Sequence, residues 1–217
     1  MLDGMDRDVQ QPEPLEALDR LMTGNDRFAT DRRLERATEL ARLKDAAVHG
    51  QSPFATVVCC SDSRCPPEVI FDQGLGELFT VRVAGNVCGP NETASAEYGM
   101  TVLRTPLCVV LGHTGCGAVG AVVGGESLSG NMLRLSRQIQ QAVHNVGGSG
   151  SPAGGDALLA QVVRENVWLS IEELLRSSGE IRRLVADGRA ELVGAVLEMS
   201  SGRASWLGRH PRQAGLI

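Results

Sequence analysis

The chain is 217 residues long, with 42% hydrophobic residues, 22% charged residues and a formal charge of −5 at pH 7. That length buries a core without disulfides or other staples, and an acidic balance with no long basic run argues against nucleic acid or an anionic membrane as the main partner. No apolar run approaches the roughly 20 residues that span a bilayer, and the polar start MLDGMDRDVQQ lacks the charged-then-apolar order of a secretion signal, which points to the cytoplasm.

In chain order, residues 1–11 read as a disordered tail and 12–217 as a single catalytic domain. PLEALDRLMTGNDRF repeats apolar positions at helical spacing, with Leu15, Leu18, Leu21 and Met22 on one face, and a second helix is predicted from about Glu35 to Val48. The period then changes. FATVVCC (54–60) is a short apolar run rich in β-branched residues, the pattern of a strand buried on both faces, and ELFTVRV (77–83), PLCVVLGH (106–113) and AELVGAVLEM (190–199) read the same way. Helices are predicted at about 66–73, 92–104, 115–123, 127–145 and 156–178. The alternation gives an α/β fold: a mainly parallel central sheet of four to five strands flanked by helices, with an amino-terminal helical arm. VGGSGSPAGG (146–155) has linker composition, but the helix and strand after it would lack a core alone, so it reads as a loop within the domain.

The cysteines are Cys59, Cys60, Cys65, Cys88, Cys108 and Cys116. In a reducing compartment they are expected as thiols, metal ligands or core fillers. Cys60-Ser61-Asp62-Ser63-Arg64 begins where the first predicted strand ends, and His113-Thr114-Gly115-Cys116 where the third ends. In open α/β sheets ligands collect at the carboxyl edge, so two separate loops can deliver side chains to one point. Two thiolates and one imidazole, from Cys60, His113 and Cys116, suit zinc, and three protein ligands leave a fourth position open for catalysis. Cys59 neighbours Cys60 on a strand and therefore points to the opposite face, into the core. Cys65, Cys88 and Cys108 have no ligand-like spacing. The competing reading makes all of these cysteines packing residues.

Asp62 and Arg64 stand two residues apart and can pair through a bidentate guanidinium–carboxylate bond. Held in this way, Asp62 is kept from binding the metal as a fourth ligand and is available to orient the nucleophile. The alternative is a solvated surface salt bridge.

CSDSR, PPEVIFDQGLGELFTVR, an AGN segment, ASAEYGMTVL and GHTGCGAV resemble the β-carbonic anhydrases in order and spacing, over about residues 14–207. PLEALDRLMTGNDRF is similar to that family's amino-terminal helix, and LVGAVLEMSSGRASWL to its last strand and following hairpin. The resemblance implies one Zn2+ per chain and reversible hydration of carbon dioxide to bicarbonate and a proton, by attack of zinc-bound hydroxide. It implies Cys60, His113 and Cys116 as zinc ligands, Asp62 and Arg64 as the catalytic dyad, and Gln51, Phe79, Ala84 and Tyr98 as a substrate pocket at a subunit interface. A homodimer or homotetramer follows from that pocket. Read without the family, Gln51 is a loop residue, Phe79 a core aromatic and Tyr98 a buried ring on a helix.

The chain departs from the family pattern in places. The usual RNAGN reads Arg82-Val83-Ala84-Gly85-Asn86, and the usual Val after SDSR is Cys65. The first change removes a polar side chain beside the pocket. Val57 stands where some members carry the tryptophan of a regulatory bicarbonate site, so no such site is expected, although Arg82 matches another of its members. His49, His144 and His210 read as surface residues able to shuttle protons. Rival readings are a carbonyl sulfide or carbon disulfide hydrolase on the same scaffold and a non-catalytic zinc-stabilised scaffold; the presence of both Asp62 and Arg64 argues against the latter.

Overall fold

The computed structural model describes residues 10–34, 39–147 and 155–217. Residues 1–9 of the expected tail, the start of the second predicted helix at 35–38, and 148–154 of the expected loop lie outside the described residues.

Strands β1 (Ala55–Cys59), β2 (Leu78–Arg82), β3 (Leu107–His113) and β4 (Glu191–Glu198) lie parallel, and β5 (Arg203–Gly208) returns antiparallel to β4. Their order across the sheet is β2-β1-β3-β4-β5. From β1 the chain leaves for one edge to make β2, then crosses back past β1 to make β3. The strand order therefore switches between β1 and β3, where loops leaving the carboxyl ends diverge and open a crevice. Those two ends carry Cys60 and His113.

The helices are α1 (Pro14–Ala29), α2 (Glu39–His49), α3 (Pro67–Ile70), α4 (Pro90–Thr101), α5 (Gly117–Val123), α6 (Met132–Asn145), α7 (Asp156–Ser177) and α8 (Gly179–Ala186). Successive strand residues point to opposite faces, so Val57, Cys59, Val109 and Leu111 enter one core, with Leu21, Val119 and Ile139 from α1, α5 and α6. Val58, Cys108, Val110 and Leu192 enter the other, with Ala96, Leu174 and Ile181 from α4, α7 and α8. Cover on both faces accounts for the unbroken apolar runs of β1 and β3, each buried along its whole length. Among the described residues no helix is long and apolar enough to cross a membrane.

Several expectations need correction. The buried face of α1 runs through Ala17, Leu21, Gly24 and Asn25, and Leu15 and Met22 are exposed, because the helix packs α3 and β5 through its small residues. Gly24 has no room for a Cβ beside the Phe71 carbonyl. ELFTVRV is an edge strand and only partly buried. The helix expected from 127 starts at Met132, since Gly125 and Gly130 take positive φ in the preceding turns. Helix α8 was not anticipated. His210 is 5% exposed, packed edge-on against Trp168, and is not a surface residue.

Candidate metal centre

Cys60 directly follows β1, His113 closes β3, and Cys116 immediately precedes α5. Their donor atoms lie within 4.8 Å of one another, and all three residues are buried. The Cys60 and Cys116 sulfurs are 3.9 Å apart; two sulfurs on a tetrahedral zinc, each at about 2.3 Å, stand about 3.8 Å apart. His113 Nδ1 lies 3.0 Å from the Thr114 carbonyl, which can only accept, so Nδ1 carries the proton and the Nε2 lone pair is free for a metal. Nε2 itself is buried with no hydrogen-bond partner among the described residues. A buried nitrogen acceptor beside two sulfurs is a donor set that fits zinc.

The surrounding backbone is tied down. Thr114 N–H donates to Leu197 O at 2.9 Å, its hydroxyl donates to Glu198 at 3.0 Å, and Met199 N–H donates to that hydroxyl at 3.0 Å, which locks the His113–Cys116 loop to the end of β4. Arg82 donates to the carbonyls of Cys60 (3.2 Å) and Asp62 (2.7 Å) and so braces the other loop. The backbone N–H groups of Asp62 (3.4 Å) and Gly85 (3.3 Å) point at the Cys60 sulfur. A hydrogen bond from Cys116 and these donors hold the Cys60 thiol below its ordinary value, against the effect of burial. Burial disfavours a charged His113, yet the Cys60 and Cys65 sulfurs outweigh it and push that imidazole up to about 10. The site thus attracts positive charge, whether a proton or a cation. Cys59 was expected on the opposite face, but Cys60 lies past the end of β1, where strand alternation no longer applies, and both pack in the same core; burial pushes Cys59 up to about 12, which keeps it a neutral core thiol.

Asp62 and Arg64 pair as their spacing suggested. Asp62 Oδ1 accepts from both the backbone N–H and Nε of Arg64 at 2.9 Å, and Oδ2 accepts from Nη2 at 2.7 Å. This grip holds the Asp62 carboxyl well below the usual carboxylate range. Oδ2 is 3.9 Å from His113 Nε2, beside the three donors but outside their cluster.

The expected pocket residues divide. Ala84 opens the short turn Ala84–Asn86 that follows β2, next to the Cys60 loop, where Ser61 N–H donates to Val83 O at 3.2 Å. Phe79 and Tyr98 touch each other, with ring centroids 5.8 Å apart. Phe79, however, sits opposite Thr56, four residues before Cys60, about 13 Å back along the strand. Tyr98 is 38% exposed, not a buried ring. Gln51 precedes β1 and lines a cavity of about 410 Å³ with Arg42, Asp45 and Leu75, at the far end of that strand from Cys60. One chain brings only Ala84 to the metal donors.

Sequence reasoning missed Gln138, Asn166 and Ser170. Asn166 Nδ2 donates to Gly85 O at 2.7 Å, the Ser170 hydroxyl donates to Asn86 O at 2.8 Å, and Gln138 Nε2 donates to both Asn166 Oδ1 (3.0 Å) and Ser170 Oγ (2.8 Å). The available signal was a polar pair at i and i+4 inside the apolar stripe Val162, Val163, Val167, Ile171 and Leu174 of α7.

Residues 55–204 match the carbonic anhydrase family. The chain is 35% identical over 196 residues to carbonic anhydrase 2 of Mycobacterium tuberculosis, covering 88% of this chain and 91% of that one. It is also 35% identical over 194 residues to a carbonic anhydrase of Mycolicibacterium smegmatis, with the same two coverages of 88% and 91%. The fold is similar to that of a tetrameric β-carbonic anhydrase from Sordaria macrospora, with a TM-score of 0.71 at 23% identity, covering 89% of this chain and 98% of that one. Family match, curated relatives and fold agree, and the chain belongs to the β-carbonic anhydrase family.

Proposed function

We propose that this chain hydrates carbon dioxide reversibly to bicarbonate and a proton, with a zinc ion held by Cys60, His113 and Cys116. The observation that carries the reading is the placement of those three buried donors within 4.8 Å of one another beside the Asp62–Arg64 pair. Zinc, when bound, supplies a Lewis acid that lowers the pKa of coordinated water toward neutrality and so provides hydroxide for attack on carbon.

The protein's own residues set the geometry. Thr114, through its carbonyl, keeps the His113 ring oriented with a proton on Nδ1, so that Nε2 is the nitrogen that faces the metal. Arg64 keeps Asp62 ionised and held outside the cluster of three donors. Asp62 Oδ2 is then a fixed acceptor that orients the attacking water, and preorganisation of this kind avoids reorganisation during the reaction. Ala84, exposed beside the Cys60 loop, offers a small apolar side chain to a small linear substrate. Phe79, Tyr98 and Gln51 reach such a site only from a second copy, so a homodimer, or a tetramer like that described for the Sordaria protein, belongs to the proposal. Exposed Tyr98 and Val102 on and just after α4 support a face for that contact.

A carbonyl sulfide or carbon disulfide hydrolase would use the same arrangement, and no observation favours it over the activity in the relatives' names. Stopped-flow hydration of carbon dioxide, run beside carbonyl sulfide hydrolysis on the same zinc-loaded protein, tests the reading. Rapid hydration with slow or absent sulfide release is expected. The reverse ratio would overturn it.

A further inference from the structure

Gly85 and Asn86, in the turn after β2, both take positive φ, 73° and 47°. Glycine adopts that region freely and asparagine is among the few side chains that tolerate it, yet two such residues in succession need support. The turn has another constraint, because a Cβ on Gly85 would stand 3.0 Å from Ile139 Cδ1 and 3.4 Å from Ala118 Cβ. Support comes from α7. Asn166 and Ser170, one helical turn apart and both fully buried, take the carbonyls of Gly85 and Asn86. Gln138 on α6 closes the network: its amide N–H groups hold both side chains, and its carbonyl accepts from Cys88 N–H at 3.1 Å. The side chains of Gln138, Asn166 and Ser170 are each paired through a partner that is itself fixed, which is the condition under which such networks specify one geometry, while the Asn86 amide nitrogen is buried without a partner among the described residues.

The output of that geometry is the N–H of Gly85, which points at the Cys60 sulfur from 3.3 Å. We propose that Asn166, backed by Gln138 and Ser170, is a positioning residue for the metal centre: it holds the left-handed turn so that Gly85 N–H donates to the Cys60 thiolate. The inference rests on Cys60 being a zinc ligand, as proposed above. The bond fixes the direction of the sulfur lone pairs and withdraws charge from the thiolate, so it tunes how strongly Cys60 donates to the metal. Losing the Asn166 amide frees the Gly85 carbonyl and lets the turn relax away from the sulfur.

The test compares the intact protein with Asn166→Leu, close in volume but without a donor, and with Asn25→Leu as a control. Asn25 is likewise buried and binds backbone carbonyls, of Ile70 and Gly202, on the α1 side of the molecule. Zinc affinity is measured by chelator competition, and the sulfur-to-metal charge-transfer band is recorded on the cobalt-substituted proteins. Asn166→Leu is expected to weaken zinc binding about tenfold or more, the range for partners of metal ligands, and to shift the cobalt band. Asn25→Leu is expected to lower thermal stability while leaving both metal readouts unchanged. Should Asn166→Leu fail to fold, Ser170→Ala removes the support of Asn86 O and one Gln138 contact but leaves the Asn166 bond to Gly85 O, and is expected to shift the same readouts less. Wild-type zinc affinity and cobalt band in a folded variant would overturn the inference, whereas a wild-type protein that takes up no metal would overturn the zinc reading itself.

Discussion

Arg64 holds both carboxylate oxygens of Asp62, with Nε on Oδ1 at 2.9 Å and Nη2 on Oδ2 at 2.7 Å, while Oδ2 remains 3.9 Å from His113 Nε2. A carboxylate placed there can accept a hydrogen bond from water while it is held beside the three donors and outside their cluster. Asp62→Asn keeps the size and loses the acceptor charge. Hydration by that variant is expected to fall on the order of 100-fold or more with zinc content unchanged. Unchanged turnover would remove Asp62 from the mechanism.

Arg64→Ala acts in the opposite direction on the same carboxylate. Without the guanidinium the Asp62 pKa rises toward the ordinary value of about 3.9, and the side chain is free to turn toward the three donors and compete with water. The folded-state pKa of Asp62 is depressed, so the stability contributed by this pair is present above about pH 4 and lost as pH falls through the folded value. The variant is expected to retain zinc, and its hydration to drop more at pH 6.5 than at pH 8.5 relative to wild type. A uniform loss across that range would show that Arg64 does not restrain Asp62.

Gly85→Ala tests the turn itself. An alanine at φ 73° costs about 1–2 kcal/mol in backbone strain, and its Cβ must push Ile139 aside. Urea denaturation of the zinc-loaded protein is expected to show that loss, accompanied by faster zinc release to a chelator. A fully stable Gly85→Ala protein would mean that the turn accommodates a side chain.

His210 contributes a separate pH dependence. Its Nδ1 accepts from Arg212 N–H at 3.1 Å, so the neutral ring carries its proton on Nε2, 3.3 Å from Glu172 Oε1. Glu172 is already paired with Arg212 and with Arg176, and a second proton on His210 would have to enter where the Arg212 N–H stands. Burial, aided by Arg212 and opposed by Glu172 and Glu165, lowers the pKa of the ring. The unfolded chain therefore binds this proton first, and the contribution is complete above about pH 6.5 and lost as pH falls from there. The drop in urea midpoint between pH 7.5 and 5.5 is expected to be smaller in His210→Gln than in wild type. Equal drops would exclude His210 as a source.

Much of the fold was legible because β1, β3 and β4 are covered on both faces, and such strands read as unbroken β-branched runs. The site was legible for a related reason: CSDSR and HTGC each begin where such a run stops. Other features depended on packing that no local pattern records. Asn25, not Leu15, faces inward on α1 because its amide meets the backbone of Ile70, Gly202 and Ala204. Strand β5 is exposed or half-buried along its whole length, with Gly202 just before it and Gly208 as its last residue, too weak a pattern to stand without β4 beside it. The supports of Gly85 and Asn86 come from residues about 80 positions later in the chain, Asn166 and Ser170, a contact made only by the tertiary fold.

The central claim is that Cys60, His113 and Cys116 hold one zinc ion on which hydration depends. Its most direct measurement is zinc content and carbon dioxide hydration on the same preparations of wild type and Cys60→Ser. The account predicts about one zinc per chain with rapid hydration in the wild type, and loss of both together in the variant. Folded wild-type protein that hydrates carbon dioxide without stoichiometric zinc, or a Cys60→Ser protein that keeps both metal and activity, would contradict it.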